Sequence, residues 1–451
     1  MKIVIIGIGK LGKLLTKNFS FDKHDITIID KHQEIVEDIV NEFDVMGYTG
    51  NGASLNALIE ANATNADLLI ACTSDDELNI LCCIVAKKIG IRQTIARVRN
   101  PEYASQVSIM SEELNISFTV NPELDAASEI SRILQFPSAI KMETFANNKV
   151  DLAEIKLDKN SHLVNKSLKE IKERYPIRLL VCAVNRDDKV YIPKGDFVLR
   201  ENDNIYIMAE THEIVDIFKK LNIYKQKLKT TMLIGGSKIS YYLAKDLINA
   251  GIDVKIVERD ENKCEELATS LPQATIINSD ATNHEVLLEE GLQKVDSVVT
   301  LTGMDETNII VSTYCKQLKV DKIITKVNNE NYDNIVGAMG LESVISPREI
   351  SCDLITRYVR GMESGRGAEF KTLYRLVNNQ IEALEFHIPN KTNYTGIPLK
   401  DLKLKPNVLL ACIIREDKVI IPSGKDCIEP NDSVIIFATY SNIKDVEDII
   451  A

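Results

Sequence analysis

The sequence predicts an α/β protein built from two doubly wound parallel sheets, each followed by a small α+β module. Three observations lead there. Short apolar, β-branched runs alternate with segments of helical periodicity. A glycine-rich turn joins the first run to the first helical segment in each half of the chain. The whole pattern occurs twice, so the unit to explain is about half of the 451 residues.

In the first half, runs at 2–6, 26–30, 44–47, 67–72 and 94–98 read as strands. Helical patterns at 10–19, 32–41, 54–60, 75–89 and 102–110 separate them. Strands that alternate with helices and carry near-continuous Val, Ile and Leu belong to parallel sheets buried on both faces. Ser117-Phe118-Thr119-Val120 reads as a sixth strand. A helix follows from Pro122 to about Gln135, with Pro at a first-turn position. Its stripe of Leu124, Ile130, Ile133 and Leu134 suits packing on its own domain or on a partner subunit. The next 70 or so residues carry strand patterns at 150–157, 178–184, 189–192 and 204–209. One helix is expected before the second of these and another after the last. Lys225-Gln226-Lys227-Leu228-Lys229 reads as an exposed linker.

The duplication is read position by position. Residues 3–12 are IVIIGIGKLG and residues 231–240 are TMLIGGSKIS; Gly7 aligns with Gly235 and Lys10 with Lys238, 228 positions on. The same offset takes Asp30 to Glu258 and Gly52-Ala53-Ser54 to Asp280-Ala281-Thr282. At an offset of 229, Asp76-Glu77-x-Asn79 meets Asp305-Glu306-x-Asn308, and residues 96–100 meet 325–329. Residues 191–210 likewise resemble 420–439. The order is one large and one small unit, repeated.

Composition narrows the function classes. A net charge of -12 disfavours non-specific nucleic-acid binding, which works by neutralising phosphates. The nine cysteines include no C-x-x-C pair and mostly sit in apolar runs, so buried reduced thiols are expected. The chain enters a strand pattern at Met1-Lys2-Ile3, with no leader-like segment, and no apolar run approaches the ~18 residues of a membrane span.

Gly7-Ile8-Gly9-Lys10-Leu11-Gly12 is a G-x-G-x-x-G that follows a strand, opens a helix and is answered by Asp30 at the end of the second strand. In that context it is the dinucleotide fingerprint of a Rossmann-like fold. Gly7 permits the tight turn, Gly9 lets backbone approach a pyrophosphate, and Gly12 lets helix and sheet pack closely. The helix N-terminus offers unpaired N–H groups and partial positive charge to phosphates. Asp30 can accept from ribose hydroxyls and would repel a 2′-phosphate, which favours NAD over NADP; as the alternative, it caps the next helix. Lys10 can pair with a phosphate or remain solvated.

In the second repeat Gly9 becomes Ser237 and Gly12 becomes Ser240, while Glu258 keeps the acid. A side chain at 240 is expected to push the helix outward or reshape the turn, and so to weaken or alter nucleotide binding. Gly235, Gly236, Ser237, Lys238, Ile239, Glu258, Asp280, Leu301 and Thr302 are the candidate positions of this second site. In the first repeat, Lys31, Gly50, Asn51, Gly52, Cys72, Thr73, Ser74, Arg97 and Arg99 lie at strand ends, where open α/β sheets place ligands. An arginine at 97 or 99 can hold a phosphate bidentately or serve a salt bridge at an interface. The second repeat has Lys326 and Asn328 there.

Hydride transfer needs an acid or base near the nicotinamide. The six histidines, His24, His32, His162, His212, His284 and His387, fall in no catalytic motif and read as surface residues. No catalytic residue and no metal-ligand spacing is recognised. An oxidoreductase with an unrecognised base is the alternative, and a scaffold with a vestigial pocket a further one.

At these residues the sequence resembles a known family. The G-x-G-x-x-G, the acid of strand two, the T-S-D-D-E-L-N segment at 73–79 and the small module resemble an RCK (KTN) domain pair, and two pairs in one chain resemble tandem RCK regulators of potassium transport. The likeness covers essentially the whole chain. It implies RCK N-terminal domains at 1–137 and 230–362 and RCK C-terminal modules at 138–222 and 368–451. It implies a cytoplasmic, non-enzymatic subunit, peripheral on the inner face of the membrane, that binds NAD(H), or ATP or ADP. It further implies a TrkH-type potassium-transporting membrane partner and a homo-oligomer, either a dimer or a tetrameric ring. By the resemblance, Gly7 to Gly12 form the phosphate loop, Asp30 is the ribose acid and Thr73 the strand-four lip. Many relatives carry Arg where Lys10 stands; lysine is a point charge rather than a fork, so both NAD and ATP remain open.

Overall fold

The computed structural model describes all residues except 104–105, 107–112, 115, 147, 176–177, 188, 363–367, 378–379, 417, 440–442 and 451, and the side chains of Glu330 and Asp333. In the first repeat β1 (Lys2–Ile6), β2 (Asp25–Asp30), β3 (Met46–Thr49), β4 (Leu68–Ala71), β5 (Gln93–Arg97) and β6 (Phe118–Val120) form a parallel sheet in the order β3-β2-β1-β4-β5-β6. The order reverses between β1 and β4, the switch point at which such sheets open a crevice beyond their carboxyl ends. Helices Lys10–Phe21, Gln33–Glu42, Leu55–Glu60 and Asp76–Lys88 make the crossovers. All four residues of β4 are buried, which is why that run is uniformly apolar rather than alternating.

The small module that follows is antiparallel: β7 (Lys141–Phe145), β8 (Val150–Lys156), β9 (Leu179–Arg186), β10 (Lys189–Tyr191) and β11 (Asn204–Glu210), in the order β10-β9-β11-β8-β7. Its helices are Leu168–Arg174, opened by a Ser167–Glu170 capping box, and Ile214–Lys220.

The second large repeat copies the first. β12 (Thr230–Ile234), β13 (Asp253–Glu258), β14 (Thr275–Asn278), β15 (Ser297–Thr300), β16 (Lys322–Lys326) and β17 (Ser343–Ile345) run in the order β14-β13-β12-β15-β16-β17. The last module has β18 (Glu369–Leu376), β19 (Ile381–His387), β20 (Val408–Arg415), β21 (Lys418–Ile420) and β22 (Ser433–Ala438), in the order β18-β19-β22-β20-β21. Read from its other edge, this is the topology of the first module.

The chain divides into two compact units that do not follow its linear order. One joins 1–130 to 231–355, the two parallel sheets; the other joins 131–230 to 356–451, the two antiparallel ones. Within the first unit, Asn121 Nδ2 donates to Tyr242 Oη at 3.1 Å and Asn18 Nδ2 to Cys352 Sγ at 3.1 Å. Within the second, one apolar core draws on both sheets: Phe145, Leu152, Cys182 and Tyr206 pack with Ile381, Ala383, Cys412 and Phe437. Phe145 meets Tyr374 edge to face at 4.8 Å.

Several expectations are corrected. The third strand lies two residues later than expected, at Met46–Thr49 rather than 44–47. Strand β7 was missed because Lys141-Met-Glu-Thr-Phe145 is short and polar at alternate positions. The helix expected over 102–110 lies largely outside the described residues. Ile130, Ile133 and Leu134 are buried within the chain itself, whereas Leu124 is exposed. The linker is exposed except at Leu228. His24 is not a surface residue: it is buried edge-on to Phe19 at 5.6 Å, its Nδ1 3.4 Å from the terminal amine. None of the nine cysteines is in a disulfide; eight are buried and Cys427 is half-buried. Among the described residues no helix is long and apolar enough to cross a membrane, and no cluster of three or more His, Cys, Asp or Glu could hold a metal ion.

Candidate functional site

The first cleft begins at the β1 turn. Gly7 adopts φ +88°, and a Cβ there would lie 2.7 Å from the Thr73 backbone nitrogen. The conformation and the close approach each demand glycine. Gly12 is as constrained, since a Cβ would lie 2.2 Å from the Gly7 carbonyl oxygen. Gly9 is different. It caps the helix Lys10–Phe21 without a side-chain hydrogen bond, at an ordinary φ of -74°, and a Cβ would meet nothing within 4 Å. The helix N-terminus therefore faces open space with its first N–H groups uncovered by any capping side chain, as an anion site requires. Lys10 is exposed beside it.

Asp30 stands opposite. Its Oδ2 accepts from the Ile8 N–H at 2.7 Å, and its Oδ1 from the His32 N–H at 3.0 Å, with His32 Nδ1 at 2.9 Å. Burial acts to raise its pKa, but the N–H groups of Ile8 and His32 outweigh it and hold the carboxyl below the ordinary range. The carboxylate thus braces the glycine-rich loop. It does not cap the following helix, a position occupied by His32. Asn51 accepts from the Ala53 N–H at 3.0 Å, and Lys31 is exposed. The Cys72 side chain lies beneath the loop. Its thiol is buried, donates to the Gly7 carbonyl at 3.2 Å and is pushed up to about 12 by burial.

The second cleft is open, with a volume of about 470 Å³. Gly235, Gly236, Ser237, Glu258, Asp280, Leu301 and Thr302 line it, as do Arg259, Lys263 and Lys326. The Gly236 N–H donates to Glu258 Oε2 at 2.6 Å, repeating the Ile8–Asp30 bond. Of the two outcomes expected for Ser240, the structure takes the second. The helix stays, beginning at Lys238 as its counterpart begins at Lys10. The turn adjusts to Gly235 φ +104°, so that the Ser240 hydroxyl donates to the Gly235 carbonyl. Ser237 and Ser240 form a capping box that occupies part of the helix N-terminus left bare in the first repeat.

Ile239 does not line the second cleft, and Leu11 is its counterpart in the first repeat. They line a separate cavity of about 140 Å³ between the repeats, together with Arg97, Glu123, Lys326 and Arg348. Arg97 is largely buried, which lowers its pKa, and lies 3.9 Å from Glu123. Arg99 is bound inside its own repeat, its Nε 3.4 Å from Asp76 and its Nη2 donating to the Ser74 carbonyl.

Sequence reasoning saw the D-E-x-N repeat but not its work. The Asp76 carboxylate accepts from the Arg99 and Asn100 N–H groups at 2.8 Å each, and Asp305 accepts from Asn328 and Asn329 at 2.9 and 3.0 Å. Each aspartate ties the helix after strand four to the chain leaving strand five. The signal was its retention in both halves while the glycine-rich turns diverged. Arg259 and Lys263 were also missed, for they follow no motif.

Comparison with known proteins places this geometry. Residues 3–122 and 231–347 match the TrkA-N domain, and 152–222 and 383–451 the TrkA-C domain. The chain is 33% identical to the Trk system potassium uptake protein TrkA homolog 1 of Methanosarcina mazei over 99% of both chains. It is 30% identical to the TrkA homolog of Archaeoglobus fulgidus over the full length of both. It is 28% identical to the Trk system potassium uptake protein TrkA of Haemophilus influenzae, over 100% of this chain and 98% of that one. Among solved structures, the GsuK channel bound to NAD shares the fold at a TM-score of 0.65 and 16% identity, over 97% of this chain and 76% of that one. The chain belongs to the TrkA family, with TrkA-N and TrkA-C domains each present twice in alternation.

Proposed function

We propose that the chain is the regulatory subunit of a potassium uptake system, that it binds NAD(H) or an adenine nucleotide in its TrkA-N clefts, and that it thereby gates a TrkH-type membrane transporter from the cytoplasmic face as a homo-oligomer. The observation that carries the reading is the uncapped helix N-terminus at Gly9, open to an anion and set opposite the ionised Asp30. Gly7, Ile8, Gly9 and Lys10 would hold the diphosphate, Asp30 the ribose hydroxyls, and Thr73 the far lip. In the second cleft the equivalents are Gly235, Gly236, Ser237 and Lys238, with Glu258 and Thr302. The names of the relatives supply the potassium system, and NAD occupies the GsuK channel, which has the same fold. Regulation would follow from unequal binding: a nucleotide that fits one arrangement of the two TrkA-N domains better than another shifts their populations.

Gly9→Asp tests this. The backbone accepts the change, because φ is ordinary and space is free. The new carboxylate would take the phosphate's place at the helix N-terminus. Wild-type protein should gain thermal stability with NAD⁺, NADH, ATP or ADP. The variant should lose the first cleft's share of that gain yet still co-purify with its membrane partner. A wild type indifferent to all four ligands, or a variant that responds as before, overturns the reading.

A further inference from the structure

The largest unexplained feature of the clefts is a fully buried asparagine behind each of them. Asn79 Oδ1 accepts from the Thr73 N–H at 2.8 Å and from the Thr73 hydroxyl at 2.7 Å. Its amide nitrogen donates to the Thr73 carbonyl at 3.3 Å and to the Arg97 carbonyl at 2.9 Å. Asn308 repeats every bond: 2.9 and 2.7 Å from Thr302, 3.3 Å to the Thr302 carbonyl and 3.0 Å to the Lys326 carbonyl. Both side chains are wholly buried, so no alternative partner competes and their geometry is fixed.

Each asparagine joins the lip of a cleft to a cation that lines the cavity between the repeats. Arg97 comes from one side and Lys326 from the other. Arg97 Nη1 also donates back to the Thr73 carbonyl at 3.4 Å, and Lys326 lines the second cleft as well as the cavity. Glu123 lies electrostatically between the cations, 3.9 Å from Arg97 and favouring the charged form of Lys326. Two bonded series, Thr73–Asn79–Arg97–Glu123 and Thr302–Asn308–Lys326, thus meet at the cavity between the repeats; the asparagines are wholly buried, the threonines, Arg97 and Glu123 half-buried, and the Glu123 charge acts across the seam on Lys326. Packed interiors transmit small displacements through such sets because their members cannot relax independently.

We infer that Asn79 and Asn308 are positioning residues that couple the two clefts, each holding a ligand-facing threonine in register with the cation its repeat presents at the seam. The inference rests on the proposed nucleotide binding. Its consequence is that a change behind one cleft alters affinity in the other, and that a nucleotide bound in either cleft changes the affinity of the other by the same factor.

The test is made in the full chain carrying Ser237→Asp, which keeps a good helix cap while closing the second cleft to phosphates. NADH then titrates the first cleft alone. Adding Asn308→Asp, which removes both donated bonds including that to the Lys326 carbonyl, should weaken NADH binding at the first cleft by roughly five- to tenfold, an ordinary coupling strength. Should Asn308→Asp fail to fold, Lys326→Gln in the same background, which leaves the asparagine network intact, should shift the affinity in the same direction. A purely structural asparagine would lower the unfolding temperature and leave that affinity within twofold; this result, or an inert Lys326→Gln, sinks the inference. If the parent binds ATP or ADP in place of NADH, the same titrations are made with that nucleotide; a parent that binds none of NAD⁺, NADH, ATP and ADP would instead sink the proposed function, so the two failures are distinct.

Discussion

At the scale of single residues, matching positions of the two repeats reach the same backbone by different means. Gly12 allows the helix to sit on the loop because it has no Cβ, whereas Ser240 reaches the equivalent place by bonding its hydroxyl to the Gly235 carbonyl. The asymmetry is testable. Gly12→Ala brings a methyl group against the Gly7 carbonyl with no hydroxyl to bond it, and should destabilise the protein by about 1–3 kcal/mol, as overpacking does. Urea unfolding followed by circular dichroism measures this, and an unchanged midpoint would show that the loop yields freely. Legibility differs at this scale too. Gly7, Gly12 and Asp30 were readable because the tight turn and its acid restrict residue type within a few positions, and Gly9 because it completes the G-x-G-x-x-G spacing. Asn79 was not, because its role lies in four bonds to backbone groups that only the fold brings to it.

Single elements show the same contrast between copies. Asp151 on β8 and Glu382 on β19 hold equivalent places in the two small modules, opposite Thr144 and Arg375 respectively. Glu382 is buried but paired bidentately with Arg360 at 2.9 Å, with Arg375 at 3.7 Å. Asp151 is just as buried, and burial pushes its carboxyl up to about 6 against the opposing influence of Thr211 and Arg132. A carboxyl whose folded pKa is raised binds a proton in the native state that the unfolded chain lacks. Stability should therefore rise as the pH falls from about 6 towards the ordinary carboxylate value near 3.8, by at most about 1.4 kcal/mol per pH unit for one proton. Asp151→Asn should flatten that window. Unfolding midpoints at pH 7.5 and 5.0, compared with wild type, measure it; a variant with an undiminished difference would place the titration elsewhere. The strands themselves were well anticipated where both faces are buried. The exceptions are β3, whose partly exposed residues carry little apolar signal, and β7.

For the whole molecule, the pairing of like with like has a mechanical consequence. Each small module closes one core of its own but shares a second with its counterpart, in which Phe145, Leu152 and Tyr206 need Ile381, Ala383 and Phe437. Residues 1–229 expressed alone would expose that face. Burial of such an apolar surface favours association at roughly 25 cal/mol per Å², and the matching topology of the two modules makes a second copy a fitting substitute. The fragment should sediment as a dimer, and a stable, well-folded monomer would contradict the account.

What the sequence determined unaided was local or periodic: the duplication, the sheet-forming runs, the glycine turn and its acid. Each is imposed by constraints acting within a few residues, or by a pattern repeated at a constant offset. Only the tertiary structure decided that the second turn tolerates its serines, that Leu11, Ile239 and Arg97 belong to a cavity between repeats, and that large units pair with large and small with small. Those outcomes depend on contacts between residues some two hundred positions apart, where shape and burial choose the partner and no spacing along the chain records the choice.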